Sequence, residues 1–274
     1  MGNDRSPGPG VLLNALVMGA LVLASCASQS TAPEPDEASA ASLTGAPTAT
    51  ADDSASPGQS TGRPVTFRTR DGATLSGLLY GTAGTLVVLS NMGDNDPGPW
   101  QRLTRALTER GYQVLTYSYR YPRDNPTFTR ATARDTVADL DAAVAFARSR
   151  KPDGLVLVGA SLGGMVTMKL AGRSAANAAV VLSAPIRLPA YGFAVTPHEL
   201  AALRMPVLVL GSVSDDVVPF ARVRQTRDAI PGAVDLVRYT GTQHGVELLA
   251  GPHGADLIGH LIDFLGRTAP AGSG

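Results

Sequence analysis

The chain has little cysteine, no net charge and no long hydrophobic run. Cys26 is the only cysteine in 274 residues, which excludes an intramolecular disulfide and a cysteine-based metal cluster. Twenty-three basic residues balance twenty-three acidic ones, and no segment is rich in lysine and arginine. This balance argues against the basic surface of a nucleic-acid-binding protein. We therefore expect no nucleic-acid partner, and nothing in the sequence calls for a metal or another cofactor.

The longest apolar run lies near the N-terminus, directly before the cysteine. Residues 11–24 follow Arg5 and end in small residues, which is the layout of a secretory signal, and they are fewer than the roughly 20 needed to span a bilayer. The end of the run, Leu23-Ala24-Ser25-Cys26, resembles a bacterial lipobox, where cleavage occurs before a lipid-carrying cysteine. The resemblance implies a signal peptide over residues 1–26, export, and anchoring of the mature protein to the extracytoplasmic face of the cell membrane through Cys26. An ordinary secretory signal with an incidental cysteine is the alternative.

Residues 27–62 consist of alanine, serine, threonine, proline, glycine, glutamine and acidic residues, with Leu43 as the one large apolar side chain. Such a segment buries too little apolar surface to offset the entropy cost of ordering. The composition predicts a disordered linker that tethers the folded domain to the membrane.

The remainder of the chain, residues 63–268, predicts one α/β domain followed by a flexible tail at 269–274. Strand patterns occur at residues 65–69, 74–80, 85–90, 112–119, 155–158, 178–183, 206–211 and 234–239, and helical patterns occur at 99–110, 129–150, 165–171, 219–230 and 255–265. Alternating strands and helices at this spacing predict a mostly parallel sheet with helices on both faces. The irregular excursion at 186–205 is too short to form a large lid.

A Gly-x-Ser-x-Gly motif marks the centre of the domain. Gly159-Ala160-Ser161-Leu162-Gly163 follows the apolar strand at 155–158 and precedes the helical pattern at 165–171. This context is typical of a nucleophile elbow, in which small flanking residues let the strand and the helix pack closely and the serine hydroxyl stays accessible. The alternative is a glycine-rich turn that saves space or binds phosphate.

Serine is a weak nucleophile at neutral pH, so Ser161 needs an imidazole base and a carboxylate to orient that base. Asp215 and Asp216 follow the strand at 206–211, and His244 follows the strand at 234–239. In a parallel sheet these loops lie at the same carboxyl edge as Ser161. His253 is the alternative base, and a solvated aspartate pair that caps a helix is the alternative for the two carboxylates.

Residues 63 to about 268 therefore resemble an α/β-hydrolase of the esterase and lipase type. The matching pieces are Thr69-Arg70-Asp71-Gly72, the elbow, Asp215-Asp216-Val217-Val218-Pro219 and His244-Gly245, in the chain order Ser, Asp, His. The resemblance implies that Ser161 is the nucleophile, His244 the general acid and base, and Asp215 the orienting carboxylate. Asp216 is the alternative acid.

The resemblance also implies an oxyanion hole formed by two backbone N–H groups. One is that of Leu162, and the other comes from the loop Ser90-Asn91-Met92-Gly93, which replaces the His-Gly-x-Gly of many relatives. Alignment on the final glycine assigns the second N–H to Met92, with Asn91 as the alternative. Other residues near the carboxyl edge are open to either a substrate-contacting or a structural role: Trp100, Arg120, Tyr191 and Phe193.

The expected activity is hydrolysis of a small carboxylic ester through an acyl-enzyme. The same triad also serves acyl transfer and peptide cleavage, because any acceptor that reaches the acyl-enzyme can react with it. A cell-surface binding protein that keeps the hydrolase fold without turnover is the alternative from another class. Substrate identity depends on pocket shape, which the sequence does not reveal, and neither does it reveal the oligomeric state.

Overall fold

A computed structural model describes residues 61–123 and 128–272 of the chain. The predicted signal peptide with Cys26, and the predicted linker up to residue 60, lie outside the described residues. Residues 124–127 and 273–274 also lie outside them. No helix within the described ranges is long and apolar enough to cross a membrane.

The strands and helices alternate along most of the domain. The strands are β1 (Arg63–Arg68), β2 (Thr74–Tyr80), β3 (Leu86–Ser90), β4 (Gln113–Tyr117), β5 (Leu155–Ala160), β6 (Ala178–Leu182), β7 (Arg187–Leu188), β8 (Phe193–Ala194), β9 (Val207–Ser212) and β10 (Val234–Tyr239). The helices are α1 (Gln101–Thr108), α2 (Arg130–Ser149), α3 (Leu162–Leu170), α4 (Pro197–Ala201), α5 (Phe220–Ala229), α6 (Glu247–Ala250) and α7 (Gly254–Thr268). Two short 3-10 helices cover Gly98–Trp100 and Pro189–Tyr191.

Eight of these strands form one sheet in the order β1-β2-β4-β3-β5-β6-β9-β10. Strand β2 is antiparallel to both of its neighbours, and every other pair in this sheet is parallel. Strands β3, β5, β6 and β9 are buried along their whole length, as expected for parallel strands covered on both sides. The mostly parallel α/β-hydrolase sheet is thus confirmed.

Two hydrophobic cores lie on opposite faces of the sheet. One contains side chains of α2, α3 and α5, including Leu140, Met165 and Val223. The other contains side chains of α1, α6 and α7, including Leu103 and Leu261. Burial on both faces accounts for the apolar runs of the central strands, and helices cover both sides as the sequence predicts.

The register of the sheet places the ends of the strands side by side at one edge. Ser90 pairs with Gly159, Ala160 pairs with Leu182, and Ser212 pairs with Tyr239. The loops that follow β3, β5, β9 and β10 therefore all leave from the carboxyl edge. These loops contain Met92, Ser161, Asp215 and His244.

The excursion at residues 186–205 is more regular than the sequence predicts. Strands β7 and β8 form a separate antiparallel pair, and α4 follows them. Thr196 caps α4 by accepting the N–H of Glu199, whose carboxylate accepts the N–H of Thr196 in return. The excursion is a small hairpin and one helix, with no large lid.

The segment after α7 is anchored, which differs from the flexible tail predicted over 269–274. Thr85 donates its N–H to the carbonyl of Ala271 at 2.8 Å and its hydroxyl to that of Pro270 at 2.6 Å. Ala269 is also buried in the core. Residues 269–272 thus pack beside the start of β3, because their backbone carbonyls satisfy donors there.

Candidate active site

Ser161 stands on a strained turn between β5 and α3. Its φ is +51° and its ψ is −115°, outside the regions that a non-glycine residue ordinarily occupies, and its N–H donates to the Leu182 carbonyl at 2.8 Å. A β-carbon on Gly159 would overlap the Gly163 carbonyl, and one on Gly163 would overlap the carbonyls of Ser90 and Asn91. The two glycines therefore let strand, helix and neighbouring loop approach to backbone contact, and Ser161 keeps a partly exposed side chain.

Asp215 and His244 form a buried pair. Asp215 Oδ2 lies 2.8 Å from His244 Nδ1, and Asp215 Oδ1 accepts the N–H groups of Val217 and Val218, each at 2.9 Å. The side chain of Asp215 is fully buried, and that of His244 is 10% exposed. Because an ionised carboxylate only accepts hydrogen bonds, Nδ1 carries the proton of this bond, and in a neutral imidazole the lone pair then lies on Nε2. Asp216 is exposed on the same loop, and the partner of His244 Nδ1 is Asp215.

Two residues that the sequence analysis did not identify hold the loop of His244. Ser212, the last residue of β9, donates its hydroxyl to the Gln243 carbonyl at 2.6 Å. Glu247, the first residue of α6, accepts the N–H of His244 at 3.0 Å. The N-cap of α6 is Val246 and Glu247 is its first residue, so this bond is not a capping box and the sequence gives no signal for it. No sequence signal distinguishes Ser212 from other residues at strand ends.

The two reactive groups of the predicted triad are unpaired in the part of the chain that the structure describes. Neither the Ser161 hydroxyl nor His244 Nε2 makes a hydrogen bond there, so a direct bond between them is not formed in this conformation. Catalytic hydrogen bonds are often long before a substrate binds. The neighbouring residues do meet, since a β-carbon on Gly245 would lie 3.3 Å from that of Ala160.

The two expected oxyanion donors lie on segments that touch each other. Leu162 is the first residue of α3, and Met92 belongs to the loop whose backbone contacts Gly163. Among the described residues, neither the Leu162 N–H nor the Met92 N–H has a hydrogen-bond partner. Both donors are thus free to bind an oxygen atom of a ligand.

Asn91, the alternative donor, has no free side-chain N–H. Its Nδ2 donates to the Tyr117 carbonyl at 2.8 Å and to Asn95 Oδ1 at 3.2 Å, and its Oδ1 accepts Trp100 Nε1–H at 3.2 Å. The residue is fully buried. The side chain of Asn91 therefore supports the loop from inside and is not available to a substrate.

Arg120 forms ion pairs within the protein. Its Nε lies 2.7 Å from Asp139 Oδ1, its Nη1 lies 2.6 Å from Asp71 Oδ2, and its backbone N–H donates to Asp139 Oδ2. The hydrogen bond to Arg120 lowers the pKa of Asp71 to about 2. Burial raises the pKa of Asp139 despite the same arginine. Arg120 thus ties the β1–β2 turn to α2 and has a structural role.

The aromatic residues named from the sequence are mainly core. Trp100 is fully buried, and its Nε1–H donates to Asn91 Oδ1. Phe193 is also buried, and Lys169 Nζ lies 5.2 Å from its ring centroid. Tyr191 is half-buried and packs edge-on against Phe128. None of the three is shown to line a substrate site.

The other histidines lie away from Asp215. His253 Nε2 lies 2.7 Å from Thr240 Oγ1, and its ring stacks on Tyr239. His260 contacts the Tyr239 hydroxyl, and His198 is exposed on α4. Within residues 61–123 and 128–272, no three histidine, cysteine, aspartate or glutamate side chains are grouped to hold a metal ion.

The fold agrees with the sequence family that the chain matches. The family model described as an alpha/beta hydrolase domain matches residues 93–255, more than half of the chain. The chain belongs to the alpha/beta-hydrolase family. The resemblance drawn from the motifs is thereby confirmed.

Three similar proteins each match more than three quarters of the chain. An uncharacterized protein of Mycobacterium tuberculosis is 29% identical over 237 residues, which are 77% of this chain and 82% of that protein. An esterase of Pyrococcus furiosus superposes with a TM-score of 0.64 at 16% identity over 76% of this hydrolase and 93% of the esterase. A lidless α/β serine hydrolase of Xanthomonas campestris superposes with a TM-score of 0.60 at 18% identity, over 78% and 98% of the two chains. At these identities the two structures show the fold alone.

Proposed function

We propose that this hydrolase cleaves carboxylic esters through an acyl-enzyme, with Ser161 as the nucleophile, His244 as the general acid and base, and Asp215 as the orienting carboxylate. The observation that carries the proposal is the buried hydrogen bond of 2.8 Å between Asp215 and His244. It leaves Nε2 as the basic nitrogen on a loop that packs beside the elbow. The strained backbone of Ser161 adds to this support.

In the proposed reaction, His244 Nε2 takes the hydroxyl proton of Ser161 as Oγ attacks the carbonyl carbon of the ester. The negative charge that develops on the carbonyl oxygen is stabilised by the N–H groups of Leu162 and Met92. Collapse of the tetrahedral intermediate breaks the bond to the leaving alcohol, which receives the proton from His244. Water then attacks the acyl-enzyme by the same steps and releases the carboxylic acid and the free serine.

Among acyl compounds we propose esters as the substrates. The similar structure from Pyrococcus furiosus is that of an esterase, and the one from Xanthomonas campestris is that of a serine hydrolase. Hydrolysis of a series of esters of increasing acyl length, measured beside matched amides, tests this choice. Faster turnover of the amides than of the esters would overturn it.

Labelling with a fluorophosphonate tests the nucleophile directly. We expect the parent protein to be modified at Ser161 and the Ser161→Ala variant to remain unlabelled, with a loss in kcat on the order of 10³ or more. Ser214→Ala is the control, since Ser214 is exposed on the loop of Asp215. The melting temperature of each variant shows whether it is folded. Near-parental hydrolysis by Ser161→Ala would contradict the proposal.

We further propose that the protein is exported and held at the cell membrane by a lipid on Cys26. The support comes from the sequence alone, because these residues lie outside the described ones. It is the motif Leu23-Ala24-Ser25-Cys26 directly after an apolar run. Cys26→Ala should release the protein from the membrane fraction or block its processing, because the chain has no other cysteine to modify. Ser25→Ala, which keeps the cysteine, is the control. Membrane partitioning of Cys26→Ala equal to that of the parent would contradict the anchor.

A further inference from the structure

Three consecutive carbonyl groups of the loop that contains Met92 are occupied. The Asn91 carbonyl accepts the hydroxyl of Tyr119 at 2.9 Å, and the Gly93 carbonyl accepts the hydroxyl of Tyr121 at 3.2 Å. Between them, the Met92 carbonyl accepts the N–H of Asn95 at 3.2 Å. Each of the three peptide groups that begin at residues 91, 92 and 93 therefore has a fixed orientation.

The first of these peptide groups is the important one. The carbonyl of Asn91 and the N–H of Met92 belong to the same planar peptide, and no peptide bond among the described residues is cis. In a trans peptide the carbonyl and the N–H point in opposite directions. A group that binds the Asn91 carbonyl thus determines the direction of the Met92 N–H.

We propose that the hydroxyl of Tyr119 positions the Met92 N–H as an oxyanion donor by holding the Asn91 carbonyl. This inference rests on the proposed serine-hydrolase function, and it makes Tyr119 a positioning residue that does not itself touch the substrate. The Met92 N–H has no partner among the described residues, as a donor reserved for a ligand requires.

Tyr119 is well placed to orient this peptide because it is itself immobilised. Its ring packs edge-on against Tyr117 and stacks on Tyr121, with both ring centroids 5.5 Å away, and the residue is only 4% exposed. Its backbone N–H donates to Asn95 Oδ1 at 2.7 Å, and its carbonyl accepts Asn95 Nδ2 at 3.2 Å. Backbone and hydroxyl thus hold the loop at two separate points.

Burial also keeps the hydroxyl in the form that donates. Loss of solvent raises the pKa of Tyr119 well above its ordinary value. The phenol therefore stays protonated throughout the range in which an esterase is assayed. The donor to the Asn91 carbonyl is a permanent feature of the folded protein.

Tyr121 provides a matched control within the same loop. Its hydroxyl makes the same kind of bond, but to the Gly93 carbonyl, whose peptide carries the N–H of Asp94 and not that of Met92. Removal of either hydroxyl leaves one loop carbonyl without its donor and keeps the aromatic ring. The two substitutions are thus similar in their effect on stability and differ in which peptide they release.

The test compares Tyr119→Phe with Tyr121→Phe in the full-length protein, using a p-nitrophenyl ester as substrate. We expect Tyr119→Phe to lower kcat by roughly 10-fold to 10²-fold with little change in KM, because an oxyanion donor acts in the transition state. Tyr121→Phe should keep kcat within about twofold of the parent at the same cost in stability. Melting temperatures measured for both variants separate the kinetic effect from a general loss of folding.

The outcomes are distinguishable. Equal kcat values for the two variants, or a Tyr119→Phe effect confined to KM, would overturn the positioning role. If Tyr119→Phe does not fold, Tyr119→Met offers a smaller and flexible apolar side chain without a donor, and failure of both to fold would assign the hydroxyl to structure alone and overturn the proposal. If Ser161→Ala remains active, the proposed function itself fails, whereas an inactive Ser161→Ala beside a fully active Tyr119→Phe overturns only this inference.

Discussion

Gly245, which follows His244, packs directly against Ala160, which precedes Ser161. A β-carbon on Gly245 would lie 3.3 Å from the Ala160 β-carbon and 2.5 Å from Met92 Sδ. Gly245 also has a φ of +52°, in the left-handed region that favours glycine. The elbow, the loop of the proposed oxyanion donor and the loop of the proposed base therefore meet at one residue that lacks a side chain.

Gly245→Ala should impair catalysis more than it impairs folding. The added methyl collides with the flexible side chain of Met92, which must move, and it strains the backbone directly after His244. We expect a stability cost of about 1–3 kcal/mol from the left-handed conformation and a loss in kcat on the order of 10-fold or more. Ester hydrolysis and thermal unfolding measure the two effects.

Gly72→Ala is the control for this variant. Gly72 has a φ of +93°, and a β-carbon there meets no atom within 4 Å. This substitution should therefore reduce stability through backbone strain while kcat is unchanged. Equal kcat losses in the two variants would mean that backbone strain in general, and not the rearrangement beside His244 and Met92, explains the effect at Gly245.

Arg120→Ala should destabilise the fold without a specific effect on the reaction. The carboxylate of Asp139 is fully buried and would keep only the Arg120 backbone N–H as a partner. Loss of one partner of a buried ion pair costs about 3–5 kcal/mol. Adding Asp139→Asn to Arg120→Ala removes the buried charge and should recover part of the loss. Denaturant unfolding of the three proteins tests this, and a kcat loss in folded Arg120→Ala would indicate contact with the substrate.

Asp71 should make the fold sensitive to acid. Its pKa is about 2 in the folded protein, against an ordinary value of 3.8, chiefly because of its hydrogen bond to Arg120. Since the folded pKa is the lower one, ionised Asp71 stabilises the fold above about pH 4, and this contribution is lost as the pH falls toward 2. The melting-temperature difference between the parent and Asp71→Asn should therefore shrink over this range. A difference that is constant from pH 6 to pH 2 would contradict the pairing.

The sheet and the elbow could be predicted from local patterns. Strand β5 is a continuous apolar run, and the glycines after it leave space for backbone contact with α3. Each of these signals depends on neighbouring residues in the chain. Family membership could be predicted for the same reason, because its motifs are short and occur in a fixed order.

The supports of the site could not be predicted in this way. Asn91 and Asn95 read as ordinary turn residues, yet their side chains bind the backbone of residues 117–121, 24 to 26 positions later in the chain. Tyr119 looks like a core residue of a strand, and nothing local indicates that its hydroxyl faces a loop carbonyl. The anchoring of segment 269–272 could not be predicted for the same reason, because its partner Thr85 lies 185 residues before Pro270 in the chain.

Asp215→Asn should nearly abolish activity while the protein stays folded. Asp215 Oδ1 accepts two backbone N–H groups, from Val217 and Val218. Those donors will hold the oxygen of the new amide, so its NH₂ group must face His244 Nδ1. The imidazole must then accept at Nδ1 and carry its proton on Nε2, which is the wrong tautomer for a base. We expect a loss in kcat on the order of 10³ to 10⁴.

Asp216→Asn is the matched variant, one residue away on the same loop. Asp216 is exposed and His244 Nδ1 binds Asp215 instead, so the change should alter kcat by less than about threefold. Measurement of kcat and of the melting temperature for both variants decides between the two carboxylates. A large loss confined to Asp216→Asn would move the acid by one residue, and parental activity in both would mean that no carboxylate on this loop orients His244.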